Sequence, residues 1–136
     1  MDDRELRFLV ERKYRLNSFE LPEFSRVDSY LAVEYGSRIK CWVERKVRNV
    51  AYDAYPDVVV DFDKWQALIQ IEQITTIPAL LAYGWSDGTW GTIQPSRCTN
   101  FRVESMIPRL DSVSLNAGVE RQVVHIDLSE FEISKG

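Results

Sequence analysis

Arg38 to Val47 reads RIKCWVERKV. Ile39, Cys41, Val43 and Val47 alternate with Lys40, Trp42, Glu44 and Lys46, the period of two expected of a strand with one apolar face. That period puts Glu44 and Lys46 on one face, with Trp42 and Lys40, and turns Val43 and Val47 the other way. Just upstream, Val27 to Tyr35 (VDSYLAVEY) has strand composition and Gly36-Ser37 reads as a turn, so the two runs are expected to form a β-hairpin. In an antiparallel hairpin turning at Gly36-Ser37, a residue about eight before the turn lies opposite one about eight after it. Asp28 is thereby brought close to Glu44 and Lys46. Two carboxylates at that separation suit a hard divalent cation such as Mg²⁺. Such an ion activates water and stabilises charge on a phosphoryl oxygen, and a neighbouring lysine orients the water or balances charge. Spacing alone leaves a second reading open, in which Asp28, Glu44 and Lys46 are ordinary members of a solvated face.

Working outward, residues 3–16 place Leu6, Leu9, Val10 and Leu16 near helical spacing with charge opposite, and Asn17-Ser18 reads as the stop. Residues 21–25 read as a connector, 52–56 as a loop, and Val58-Val59-Val60 as a short strand or turn. Residues 61–75 place Trp65, Leu68, Ile69 and Ile71 on a helix started by Asp61 or Asp63 and stopped by Ile77-Pro78. Ala79 to Trp85 is a nearly continuous apolar strand, expected to be buried on both faces. Ser86-Asp87-Gly88 turns it into a partner strand over 89–94. Beyond Pro95 the pattern weakens: a strand over 101–107, a loop over 108–118 and a last strand over 121–128. The fold class expected is α/β, one domain over residues 1–136, with a mixed sheet flanked by helices.

The chain has 136 residues, enough to bury a core, and its 45% hydrophobic and 28% charged composition excludes a disordered segment. No apolar run is long enough to span a bilayer, and Met1 to Glu5 (MDDRE) is too charged for a secretory signal. A cytoplasmic location without membrane association is expected. Cys41 and Cys98 are expected to stay reduced, and with His125 they are too few for a structural zinc site. A net charge of −4 runs against nonspecific nucleic-acid binding, but residues 38–48 carry Arg38, Lys40, Arg45, Lys46 and Arg48 against the single acid Glu44.

With these residues in hand, the chain resembles the PD-(D/E)xK nuclease superfamily, which includes restriction enzymes, Holliday junction resolvases and small phage proteins. The resemblance runs over about residues 3–94: a helix, a strand with Asp28, a turn, a strand with Glu44-Arg45-Lys46, then a helix and an apolar strand. Lys64-Trp65, Ile77 to Tyr83 and Ser86-Asp87-Gly88 are similar to the helix and strand downstream of the motif in resolvase-like and phage members. Val123 to Leu128 with Phe131 is similar, less specifically, to short phage relatives. Residues 95–136 then form a C-terminal extension with strands.

The resemblance implies a restriction-endonuclease-like domain acting as a Mg²⁺-dependent DNA endonuclease, with Mn²⁺ able to substitute and no organic cofactor. It implies Asp28 and Glu44 as metal carboxylates, the Arg45 backbone carbonyl as a third ligand and Lys46 as the catalytic lysine. It further implies an acid on the first helix, Glu5 with Glu11 as its rival, and Lys64 as an auxiliary phosphate contact. Arg48 and Lys40 are candidate phosphate contacts from the basic run. Cutting both strands of a duplex by so small a domain implies a homodimer. Val27 stands where the motif's proline would be, and the Pro56-Asp57 pair, which lacks a following Glu-x-Lys, reads as a loop or turn.

Other candidates carry less. His125 reads as an ordinary packed or surface residue. Trp85, Trp90 and Trp65 read as core packing before base stacking. Tyr52 and Tyr55 follow Glu-x-Lys in a loop that borders the site if the site is real. The alternative function is a catalytically inactive DNA- or protein-binding module of the same fold, consistent with the acidic net charge. A DNA mimic ranks last, because acids and bases are interspersed and not set in rows.

Overall fold

β3 (Cys41–Val47) lies inside a six-stranded sheet, and its neighbours position the site. The computed structural model describes residues 1–23, 25–106 and 121–135. The sheet runs β1 (Asn17–Glu20), β2 (Ser29–Ala32), β3, β5 (Ala79–Gly84), β6 (Thr89–Ile93) and β9 (Glu132–Lys135). β3 and β5 pair in parallel and the other pairs are antiparallel, so the sheet is mixed. A parallel pair needs a long crossover, and here the segment between its members carries β4 (Asp57–Asp61) and α2 (Phe62–Thr75). β4 leaves the main sheet and joins a second, three-stranded sheet in the order β4, β8 (Arg121–Asp127), β7 (Phe101–Met106).

The two faces of the main sheet bury different clusters. On one side α1 (Asp3–Tyr14) packs Leu6 and Val10 against Leu31, Cys41, Val43, Ala82 and Trp90. On the other, Trp65 and Leu68 of α2 join Ala79, Leu81 and Tyr83 of β5 with Val58, Val60, Val124 and Ile126 of the second sheet. Alternation along β3 therefore sends Val43 toward α1 and Trp42 toward the α2 side, as the pattern of residues 38–47 requires. Trp85 and Trp90 are core residues, in keeping with packing as their role.

Several elements differ from the sequence expectation. α1 ends earlier, at Arg15, which takes a left-handed conformation (φ 55°) and donates its amide to the Glu11 carbonyl. Asn17–Glu20 is then a strand, because side chains of the helix grip it: Glu11 Oε2 accepts from the Ser18 amide at 2.8 Å and Arg7 donates to the Ser18 carbonyl at 2.7 Å. The strand expected over 27–35 contracts to Ser29–Ala32, and residues 33–40 make a wider loop through Gly36 at φ 83°. The wider loop shifts the register by one residue from a turn closing at Gly36-Ser37, pairing Ser29 with Val43 and Leu31 with Cys41. Val58-Val59-Val60 belongs to a strand of a second sheet, and residues 132–135 return as β9 beside β6. That return is tight: a Cβ at Gly91 would lie 2.8 Å from Ile133 Cδ1. The tail is thus woven into the fold, whereas its local pattern reads as irregular. The loop expected over 108–118 lies outside the described residues. Among the described residues no helix is long and apolar enough to cross a membrane, and both cysteines are free.

Glu72 fixes where α2 sits on the sheet. Its Oε1 accepts from the Ala79 amide at 2.9 Å and from Gln94 Nε2 at 2.8 Å, and its Oε2 accepts from Ser96 Oγ. Burial alone would raise its pKa, but Ser96, the Ala79 amide, Gln94 and Arg97 together hold it below the usual value. Ala79 is buried, so loss of this acceptor strands its amide away from water. Glu72→Ala is expected to lower unfolding free energy by about 1–3 kcal/mol, measured by urea titration, with Glu72→Gln retaining part of that stability.

Candidate active site

The backbone of β3 decides which groups meet. Its Trp42 amide donates to Pro78 O and the Arg48 amide to Gly84 O, both at 2.9 Å, so even-numbered amides point toward β5. Alternation turns the Arg45 amide and carbonyl to the opposite edge, toward β2. β2 pairs only as far as Ser29 opposite Val43, so Arg45 has no strand partner there. Asp28 fills the gap: its Oδ2 accepts from the Arg45 amide at 3.2 Å. One register step beyond Ser29–Val43, Asp28 stands opposite Glu44, near enough for its carboxyl to act on the Glu44 carboxyl.

Glu44 is buried, at 7% exposure, and its Oε1 has no hydrogen-bond partner among the described residues. Burial, the hydrogen bond to Asp28 and the negative charge of Asp28 push its pKa up to about 8, and Lys64 offsets this only in part. Lys64 Nζ, in the first turn of α2, stands 3.6 Å from Glu44 Oε1. A buried carboxyl held against a second carboxyl is a place where positive charge is favoured, and Lys64 supplies part of it.

Lys46 is exposed on the same face of β3 as Glu44. Both line a cleft of about 840 Å³ walled by β3, the start of α2 and the second sheet. Lys46, Arg48, Lys64 and Arg121 stand in it, against the acids Glu44 and Asp61. The local field is thus more positive than the net charge of the chain suggests. Arg48 is braced, with Nε donating to Tyr83 Oη at 2.8 Å and Nη2 to Val59 O at 3.4 Å.

The other candidates fall elsewhere. Glu5 is exposed on α1 and does not join the pair, and Glu11 is occupied at the Ser18 amide. Among the described residues no three or more His, Cys, Asp or Glu side chains gather at metal-binding distance. Lys40 precedes β3, at the end of that strand away from Lys46, with its amide bonded to Leu31 O. Pro56-Asp57 leads into β4, where Asp57 pairs with Arg102 and His125, each at 3.3 Å. His125 also meets Glu104 at 2.9 Å, which makes it a packed member of the second sheet.

The Arg45 side chain is the residue that pattern reading passed over. It points away from Glu44 and is nearly enclosed, held by Asp3 at 2.9 and 3.1 Å, Glu20 at 2.6 Å and Ser29 Oγ at 3.1 Å. These contacts tie the start of α1, β1 and β2 to the strand position whose amide holds Asp28. The available signal was a charged residue on a face otherwise occupied by Val43 and Cys41, a position that calls for buried partners. Arg121 was missed because β8 reaches the cleft only through pairing with β4.

As a donor set, two carboxylates and the Arg45 carbonyl are all hard oxygens, the chemistry preferred by Mg²⁺ and Mn²⁺. The orphaned Glu44 oxygen and the carboxyl–carboxyl contact fit a divalent cation. A family model described as "Phage putative PDDEXK endonuclease" matches residues 1–134. This chain belongs to that nuclease family. The fold agrees: the chain is similar to Hjc from Archaeoglobus fulgidus, a Holliday junction resolvase from an archaeal hyperthermophile. The two are 16% identical with a TM-score of 0.55, over 95% of this chain and 83% of the resolvase. A search of curated proteins finds no match. The resemblance carried by Glu44-Arg45-Lys46 therefore holds for family and for fold class.

The raised pKa of Glu44 has a thermodynamic signature. Folded Glu44 keeps a proton that the unfolded chain releases, so the folded state binds more protons between about pH 4.5 and about pH 8. The contribution of this group to stability is present below that window and is lost as pH rises through it. In metal-free protein, Glu44→Gln is expected to remove this slope, so that the variant gains on wild type from pH 5 to pH 8. Urea titrations across that range measure it, and parallel curves for the two proteins would contradict the buried-pair geometry.

Proposed function

We propose that this protein is a Mg²⁺-dependent DNA endonuclease that hydrolyses phosphodiester bonds with a metal-activated water. The observation that carries the reading is the meeting of Asp28 and Glu44 beside the Arg45 peptide, with Glu44 lining a cleft that also carries Lys46, Arg48, Lys64 and Arg121. Asp28, Glu44 and the Arg45 carbonyl would hold the metal, with Mn²⁺ able to replace Mg²⁺. When bound, such an ion supplies Lewis acidity, lowering the pKa of its water and balancing charge on the phosphoryl oxygen.

The chain's own residues supply the rest. Lys46, two residues from Glu44 on the same face, orients the attacking water or meets the negative charge that builds on the phosphate. The water oxygen, giving up a proton to solvent, forms a bond to phosphorus as the bond to the departing strand oxygen breaks, and that oxygen takes up a proton from solvent. Lys64 stands against Glu44 and would also reach a phosphate lying in the cleft. Arg48 and Arg121 grip neighbouring phosphates along the cleft, and Lys40 makes an outlying contact. A homodimer would present two such clefts to the two strands of a duplex, which gel filtration with light scattering checks.

Single-stranded, duplex and branched DNA incubated with Mg²⁺ or Mn²⁺ test the proposal. Wild type is expected to cut at least one of them, while Glu44→Gln and Lys46→Ala fall at least about a hundredfold in rate. Equal cutting by the variants would overturn the assignment. DNA binding with no cutting under either ion would leave a non-hydrolytic module on a nuclease fold.

A further inference from the structure

Beside the cleft lies a second cavity of about 270 Å³ that the hydrolytic chemistry does not use. Its walls include Tyr52, Tyr55, Tyr83 and Trp85, and it shares Arg48, Tyr55 and Val59 with the cleft. We infer that this recess receives one unpaired nucleobase of the DNA strand whose phosphates lie in the cleft. The inference rests on the DNA-cleaving reading for the identity of the polymer.

Size, shape and position all bear on the occupant. The recess sits just below the roughly 300–1,000 Å³ range of small-ligand sites, room for one planar ring system and not for a whole nucleotide with its phosphate. Its rings are fixed at the back: Tyr52 meets Trp85 edge-on at 5.1 Å, and Tyr83 meets Trp85 at 4.9 Å. A hydrogen bond from the Tyr52 amide to Asp87 Oδ2 at 3.1 Å pins the loop carrying Tyr52 to the β5–β6 turn. Tyr55, in contrast, is 61% exposed at the mouth. An exposed tyrosine next to a lined recess supplies the movable half of a stacking pair, and stacking on aromatic rings holds any of the bases.

Arg48 stands on the rim common to both cavities. Its bonds to Tyr83 and Val59 use two of its N–H groups and hold its guanidinium in place, leaving donors for a phosphate of the same nucleotide. Asp57 also lines the recess, but Arg102 at 3.3 Å balances its charge, so the wall does not repel the strand. A paired base would have to leave its stack to enter, which costs least where the DNA is already single-stranded or branched. The recess thus selects for unpaired nucleotides beside the scissile phosphate without selecting among bases.

Fluorescence anisotropy with labelled oligonucleotides in EDTA tests this without any cleavage. Tyr55→Ala is expected to weaken binding of single-stranded DNA about tenfold, Tyr55→Phe to restore it, and the loss on fully paired duplex to be much smaller. A scan placing one abasic site at successive positions is expected to find a position that costs wild type about tenfold and costs Tyr55→Ala nothing further. A flat scan, or a Tyr55→Ala loss equal on single strand and duplex, overturns the recess. Cleavage together with a flat scan would remove this inference alone. A positive scan without cleavage under Mg²⁺ or Mn²⁺ would remove hydrolysis and leave the recess standing.

Discussion

The site depends on the contact between Asp28 and the end of an unpaired stretch of backbone. β2 stops pairing at Ser29, which leaves the Arg45 amide of β3 without a strand partner, and the Asp28 carboxylate takes its place. A buried amide and a carboxylate satisfy each other there, as both must away from water. The same bond holds Asp28 against Glu44. The hairpin therefore ends where it must for two acids to meet.

That arrangement is unfavourable for the protein by itself. Glu44 is buried, pressed on a second acid and offset only by Lys64 from across the cleft. Acidic pairs of this kind are kept where a cation or a proton resolves them. The cost is confined by rigid surroundings. On the far side of the sheet, Arg45 is clasped by Asp3, Glu20 and Ser29, and β5 locks the other edge of β3 in parallel register. These contacts fix the β3 backbone at the position whose amide holds Asp28.

The second sheet gives the site its boundaries. β4 and β8 stand across from β3 and make the opposite wall of the cleft, bringing Asp61, Val123 and Arg121 to it. Because β4 leads directly into α2, the same segment that builds this wall also delivers Lys64 to Glu44. The fold thus couples cations of the cleft to the acidic pair through one short connection, and Arg48 and Tyr55 line both cavities.

The amino-acid sequence by itself determined the faces of β3, the meeting of Asp28 with Glu44, and the family. Each rests on short-range regularity: a strand alternates every residue, and the wider loop moves the hairpin register by only one position from a turn at Gly36-Ser37, which leaves Asp28 opposite Glu44. Tertiary structure alone decided the rest. Asn17–Glu20 became a strand because α1 side chains grip it, β4 paired with β8 from the far end of the chain, and Arg45 found its partners on three different elements. Lys64 reached Glu44 while Glu5 and Lys40 did not. No local pattern encodes these outcomes, because pairings between distant segments are chosen by which apolar faces bury together and which buried charges must be matched.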